Sequence, residues 1–280
     1  MDFISAAGDA LWSGYMWIGT LNMWQYFLFS AVVFTPLAFA FPNKPGQPVF
    51  RKDTLTDLVY WFMVPIIYTP VRLLIIGLIV GFGIRSVEDI NRISVSGMTP
   101  LSDLPIWAQT VIVFLLYDII QYWTHRLFHT GQWWRFHAIH HAPQEIDWMT
   151  SARFHPVNFS IHSILVGTII FLLGFSPAVW AISASFNIIY SPLVHANLNW
   201  TYGPFRYFLA SPVFHRWHHT HEEEGGNSNF APTFPFLDIL FGTYYDPKDK
   251  KPQIFGAPND PVPHDILGQV IYPFKAIFSK

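Results

Sequence analysis

The chain contains no cysteine, which excludes disulfides, thiolate metal sites and a cysteine nucleophile but leaves the redox compartment open. Charge is scarce: Asp, Glu, Lys and Arg make up 12% of the 280 residues, about half the usual share. The formal net charge is only −2, so no strongly basic face points to nucleic acid and no acidic tail points to a solvating role. The first residues also carry no lysine or arginine. The opening MDFISAAGDALW carries Asp2 and Asp9, so it is expected to stay in the mature chain rather than be cleaved as a secretory signal. No internal repeat, coiled-coil heptad or low-complexity tract is apparent.

What the chain does have is apolar length and histidine. Apolar residues make up 51% and aromatic residues 18%, and mean hydropathy is positive. Runs long enough to cross about 30 Å of hydrocarbon lie near 22–41, 58–82, 106–124, 157–175 and 177–198. The last two are separated only by Gly174, Phe175, Ser176 and Pro177, which predicts a helical hairpin returning His195 to the side where His155 begins. Pro65 and Pro70 interrupt the second run and predict a kink there. The expected fold is all-α: a multi-pass transmembrane helical bundle under a histidine-rich cytoplasmic cap. Its divisions are an N-terminal transmembrane region (1–104), a catalytic domain (105–246) and a C-terminal tail (247–280), the last read as solvated surface around Lys248–Lys251.

Orientation follows from the tendency of Lys and Arg to remain in cytoplasmic loops. They gather at Lys44, Arg51 and Lys52, at Arg126, Arg135 and Arg153, and after residue 199, leaving Arg72 inside a span and Arg85 and Arg92 in the opposite loop. Five crossings then place every histidine cluster on the cytoplasmic side, in a bacterial inner membrane or, in a eukaryote, the endoplasmic reticulum membrane.

Most of the thirteen histidines fall in tight clusters. His125 and His129 stand four apart at the end of the third run and share a helical face. His137, His140 and His141 repeat the pattern at i, i+3 and i+4, as do His215, His218 and His219. Neutral imidazole suits iron, zinc, copper or nickel, and eight or nine donors are too many for one ion but fit two. Spacing alone leaves His195 open between ligand and buried histidine, and says less of His155, His162 and His221; a lone His264 reads as an interfacial ring. Asp118 lies two turns before His125 inside a span, where an unpaired carboxylate costs about 2.5–3.5 kcal/mol. It is expected either to orient a ligating imidazole or to pair with an arginine such as Arg126 or Arg153.

The segments DIIQYWTHRLFH, RFHAIHH, SARFHP and SPVFHRWHH, followed by NSNFAPTFPFLDILFGTYY, resemble in order the elements of the fatty acid hydroxylase and sterol desaturase superfamily of membrane di-iron enzymes. The resemblance runs from about 118 to 246 and implies that His125, His129, His137, His140, His141, His215, His218 and His219 bind metal, with His195 as the ninth ligand. Some relatives carry a second histidine four residues on, where this chain has Asn199. The resemblance also implies two iron ions (zinc being a possible substitute in a purified sample), O₂ as oxidant, a lipid substrate hydroxylated or desaturated, and Arg153 and His155 beside the ligands or substrate. No His-Pro-Gly-Gly haem signature is present, so a separate electron donor of cytochrome b5, ferredoxin or reductase type is expected. An all-imidazole set leaves cation charge uncompensated, which favours anionic ligands or nearby carboxylates such as Asp118, Glu145 and Asp147.

Three rivals from other classes fit less well. A haem electron-transfer protein needs histidines paired across the bilayer, and a metal transporter needs ligands along a path through it. A membrane di-zinc hydrolase is expected to show a base at helical spacing, as in His-Glu-x-x-His, which this sequence lacks.

Overall fold

Ten helices, with short 3₁₀ turns between them, account for the regular structure of the described residues, and each starts or stops at a local signal. The computed structural model describes residues 23–98 and 100–278; the expectation for the opening segment falls outside them. The helices are α1 (Met23–Ala40), α2 (Thr54–Gly81), α3 (Val87–Ser96), α4 (Ile106–Phe128), α5 (Trp134–His141), α6 (Pro156–Leu172), α7 (Pro177–His195), α8 (Pro212–His218), α9 (Phe236–Leu240) and α10 (Ile266–Phe278). Extended structure among these residues is limited to two isolated bridges, Pro42 with Leu198 and Thr220 with Phe255. Proline begins α6, α7 and α8, where a missing N–H costs nothing. Ser211 caps α8 through Phe214 N, and a Ser86–Asp89 capping box opens α3.

The expectation of an all-α bundle holds. Among the described residues three helices, α1, α4 and α7, are long and apolar enough to cross a membrane. α2 is helical throughout its 28 residues, across both prolines, and α6 is a 17-residue apolar helix. α6 and α7 are joined by the expected tight turn, but each rests on α4 more than on the other. The turn is held from outside: Met98 N donates to Gly174 O at 2.7 Å, and Gln109, buried in α4, accepts from Ser176 N at 2.9 Å. Gly174 has φ +75°, and a Cβ there would lie 2.7 Å from that of Met98, so only glycine fits.

At the opposite end, the helix termini carry the cap. Phe34 of α1, Trp61 of α2, Trp148 and Met149 of the following 3₁₀ turn, and Ala196 and Leu198 beyond α7 form one buried cluster. A charged network lies beside it. Arg153, fully buried, reaches Asp57 Oδ1 at 2.6 Å and Asp53 Oδ2 at 3.2 Å, while Arg51 bridges Asp57 at 2.9 Å and Asp147 at 2.7 Å. Buried ions are tolerated only when paired in this way, and breaking one pair costs about 3–5 kcal/mol. The network pins residues 148–153 across α2.

The tail departs from the expectation of solvated surface. Lys248, Lys250 and Lys251 are exposed, but Pro252 O accepts from Asn43 Nδ2 at 2.8 Å, and Phe255 is buried beneath Arg216, whose guanidinium lies 4.6 Å from the ring centroid. α10 then packs on α5: Tyr272, Ile266 and Ala276 join Tyr60, Ala138 and Ile139. The apolar face of α10 explains why a segment following a lysine run folds back.

Candidate metal centre

Nine imidazoles from four helices meet where the bundle joins its cap. α4 supplies His125, with His129 as its C-cap; α5 supplies His137, His140 and His141; α7 ends on His195; α8 supplies His215 and His218, with His219 as its C-cap. They divide into two groups whose donor nitrogens lie within 4.8 Å of one another: His125, His129, His137, His141 and His218, and His140, His195, His215 and His219. Helical spacing makes the division. On α5 the i, i+4 pair His137 and His141 faces the first group while His140 turns to the second; on α8 the pair His215 and His219 faces the second while His218 turns to the first. The groups abut, with the His141 and His219 rings stacked at 4.4 Å.

The outer nitrogens show what the inner ones are for. Nδ1 of His125 lies 2.8 Å from Phe230 O, that of His218 2.7 Å from Ser228 O, that of His140 3.1 Å from Arg153 O and that of His195 2.7 Å from Ser191 O. A carbonyl only accepts, so each of these rings carries its proton on Nδ1 and presents a bare lone pair at Nε2. His137 does the same through Asn158 Oδ1 at 2.8 Å. Yet Nε2 of His125 lies 3.0 Å from Nε2 of His137, and Nε2 of His140 lies 3.3 Å from Nε2 of His195. Two unprotonated nitrogens at such distances repel unless a cation lies between them. Nε2 of His129, His141 and His218 is likewise buried without a hydrogen-bond partner. Burial also drives the pKa of His129, His137, His140, His141, His215, His218 and His219 well below the ordinary imidazole value, an effect that neighbouring imidazoles reinforce. These rings are neutral at physiological pH. The donor set therefore fits metal ions, and its chemistry suits a borderline transition metal.

The carbonyls that aim these rings come from a loop whose logic the structure makes plain. Phe230 and Ser228 flank Asn229, which adopts φ +56° and ties the loop down through Phe214 O at 2.9 Å and Tyr245 O at 2.7 Å. Asparagine is among the few L-residues that tolerate this conformation. Asp238 holds the other side: Oδ1 accepts from Phe230 N at 2.8 Å and Thr243 Oγ1 at 2.7 Å, and Oδ2 accepts from Ala231 N at 3.0 Å. Burial pushes its pKa up to about 6.

Several expected partners lie elsewhere. Asp118 makes no hydrogen bond to an imidazole and no ion pair with Arg126 or Arg153 among the described contacts; its Oδ2 accepts from Phe234 N at 2.7 Å, anchoring the 231–236 segment to α4. His155 accepts from Val157 N and donates to Val270 O, both at 3.0 Å, clamping the start of α6 to α10. Arg153 serves the centre through its backbone, since its carbonyl orients His140 while its guanidinium fills the aspartate network. Asp147 bonds Arg51 and Met149 N, and Glu145 gives its backbone carbonyl to Arg51. His162 bonds Thr124 at 2.7 Å and His264 pairs with Asp53 at 2.8 Å. Asn199 is not on a helix: α7 stops at His195, and Asn199 N donates to Phe41 O at 3.0 Å. Asn158 escaped the sequence reading altogether. Its place on the first turn of α6, facing α5, is not readable from spacing.

The order of these elements along the chain now meets an independent observation: the fatty acid hydroxylase family model matches residues 110–243, which include all nine histidines. This region belongs to the fatty acid hydroxylase family. The domain is similar to an ornithine lipid hydroxylase of Rhizobium tropici, 29% identical over 173 residues that cover 61% of this chain and 52% of that protein. It is also similar to an alkylglycerol monooxygenase of Xenopus tropicalis, 29% identical over 140 residues (50% and 31%), and to a putative methylsterol monooxygenase of Dictyostelium discoideum, 32% identical over 171 residues (57% and 60%). The matches thus span from about a third to about three fifths of these relatives' own lengths. No solved structure matches the chain.

Proposed function

We propose that the chain is a membrane-bound oxygenase that holds two iron ions on nine of its histidines and uses O₂ to hydroxylate a lipid. The observation that carries this reading is the convergence of Nε2 atoms at 3.0–3.3 Å, an approach that a cation bound between them would stabilise. His125, His129, His137, His141 and His218 would hold one ion, and His140, His195, His215 and His219 the other. Iron supplies the electrons for O₂ reduction that zinc does not. The protein keeps the imidazoles neutral by burial and fixes their tautomers through Phe230 O, Ser228 O, Arg153 O, Ser191 O and Asn158. Outer partners of this kind typically contribute 10–100-fold to affinity or activity. The relatives, named as hydroxylases or monooxygenases of ornithine lipid, alkylglycerol and methylsterol, support a lipid substrate here.

The three apolar spans support residence in a membrane, and the lysine and arginine bias supports five crossings with the centre on the cytoplasmic side. A separate redox protein delivers the electrons. Thr130→Cys and Gln144→Cys, both at exposed positions, should resist an impermeant thiol reagent in intact cells and react after permeabilisation; rapid labelling of intact cells refutes this sidedness. The function is tested by expressing the chain and His140→Ala under ¹⁸O₂ and comparing extracted lipids by mass spectrometry. A hydroxylated lipid carrying one ¹⁸O only with the unsubstituted chain is expected. A new double bond without label makes the chain a desaturase, and identical lipid profiles reject the proposal.

A further inference from the structure

We propose that an open cleft beside the five-imidazole group seats the phosphate of a phospholipid substrate's head, an inference that rests on the lipid-oxidising function above and names its substrate class. The cleft, about 530 Å³, lies between the Gly131–Arg135 turn and the returning C-terminal segment, with Asp260, Tyr272 and Lys275 on its far wall. Its lining carries two cations, Arg135 and Lys275, against one carboxylate. Asp260 Oδ2 accepts from Trp134 Nε1 and Oδ1 from Tyr272 OH, each at 2.7 Å, so both oxygens are held in place and the lining keeps one net positive charge. Arg135 commits Nε to Gln132 Oε1 at 2.7 Å, and the forked end of a guanidinium matches two phosphate oxygens.

The apolar surface around the cleft sets its depth in the membrane. Leu267, Ile271 and Phe274 recur along one face of α10 and are 66%, 37% and 44% exposed. Phe274 touches Phe136, with ring centroids 5.5 Å apart, and Phe136 touches Trp133 at 6.4 Å. Trp133 in turn lies against Phe128, the last residue of α4, with ring centroids 5.5 Å apart, and α4 is long enough to span. Ring contacts thus join the apolar edge of α10 to the end of a helix long enough to span, the placement of a helix that lies in the interface plane. A polar cleft behind such an edge opens at the level of lipid headgroups.

Trp134 stands between this cleft and the metal centre. Its ring lines the cleft and lies 5.0 Å from the ring of His129 and 5.2 Å from that of His141. A head held there stands one indole away from the five-imidazole group. The oxidised carbon then falls within the first few bonds of the head, not at the far end of an acyl chain.

Binding of dihexanoyl phosphatidate to the full chain in uncharged detergent micelles, measured by calorimetry, tests the cleft without turnover. Phosphatidate should bind at least tenfold more tightly than dihexanoylglycerol, which lacks the phosphate, or inorganic phosphate, which lacks the chains. Arg135→Gln and Lys275→Gln should each weaken it about fivefold, the usual contribution of one basic residue to an anionic lipid surface. Lys250→Gln, in the exposed part of the tail, should not. If Arg135→Gln lowers the melting temperature, binding by Lys275→Glu, a change at an exposed position, decides between the outcomes. Equal binding of dihexanoylglycerol, equal binding of inorganic phosphate, or cation variants that bind normally overturn the proposal. Phosphatidate binding by a chain that oxidises no lipid would instead reject the oxygenase reading and leave the cleft a phospholipid site.

Discussion

The two histidine groups share two helices and differ in the third. Both draw on α5 and α8, but the five-imidazole group is completed by α4 and the four-imidazole group by His195 alone at the end of α7. The first is aimed largely by the 228–230 loop, which gives carbonyls to His125 and His218, and by Asn158. The second leans on Arg153 O, within the buried ion network, and on Ser191 O, one turn back along α7. In the second group Nδ1 of His215 and His219 meets no acceptor from the protein. The smaller set therefore has fewer donors and fewer supports, and loss of one donor should be felt more there.

The largest expected effect tests that asymmetry directly. His195→Ala removes one of four donors and should reduce bound metal to about one ion per chain, with activity falling at least ~100-fold. His129→Ala removes one of five and should retain both ions, with a loss nearer ~10-fold. Metal analysis and turnover on matched preparations decide it, and equal stoichiometry in the two variants would erase the difference between the groups. Next is Asn158→Leu, which deprives His137 of its orienting acceptor while His137 itself remains. A 10–100-fold loss of activity or metal affinity is expected, confined to the five-imidazole group. Normal activity would show that the remaining donors hold His137 in place.

Acid should weaken both groups together. The seven imidazoles named above have folded pKa values well below the unfolded 6.5. Below about pH 6.5 the unfolded chain therefore takes up protons that the folded chain refuses, and stability falls with pH. Asp147 and Asp238, raised to about 6, act in the opposite direction between pH 6 and 3.8 but are outnumbered. The melting temperature of metal-free protein should be nearly flat above pH 7 and drop steadily below 6.5; a rise on acidification would contradict the burial argument.

Asp118→Asn should have a smaller effect, of a different kind. Asparagine keeps an oxygen for Phe234 N and loses only the charge, so the expected cost is about 1 kcal/mol, or 2–4 °C in melting temperature, with metal content unchanged. Loss of metal at an unchanged melting temperature would return Asp118 to the role the sequence suggested. Smallest of all is Asn199→His. Because the chain has already left α7, an added imidazole there should not raise the donor count of the four-imidazole group, and metal stoichiometry should stay the same. A gain in affinity would show that this segment swings inward.

Much of the centre was legible because helical geometry is local. Residues four apart on a helix share a face whatever surrounds them, so His125 with His129, His137 with His141, and His215 with His219 announce themselves, and apolar run length announces the bundle. The readings that failed depended on what lies across from a residue. Asp118 sits on the face of α4 expected of it, yet the backbone N–H that it meets belongs to Phe234, more than a hundred residues later. The tail after Asp246 reads as solvated from its lysines, but α10 has an apolar face, and α5 offers it a partner that the sequence does not show as near.

The sequence by itself determined the helices, their apolar length and the supply of nine imidazoles on helix ends, since each follows from spacing within one or two turns. Tertiary structure alone decided how those imidazoles divide, which carbonyls fix their tautomers, and that Arg153 acts through its carbonyl. These depend on the approach of chain segments distant in sequence, and a hydrogen bond requires an approach to about 3 Å that no local pattern encodes.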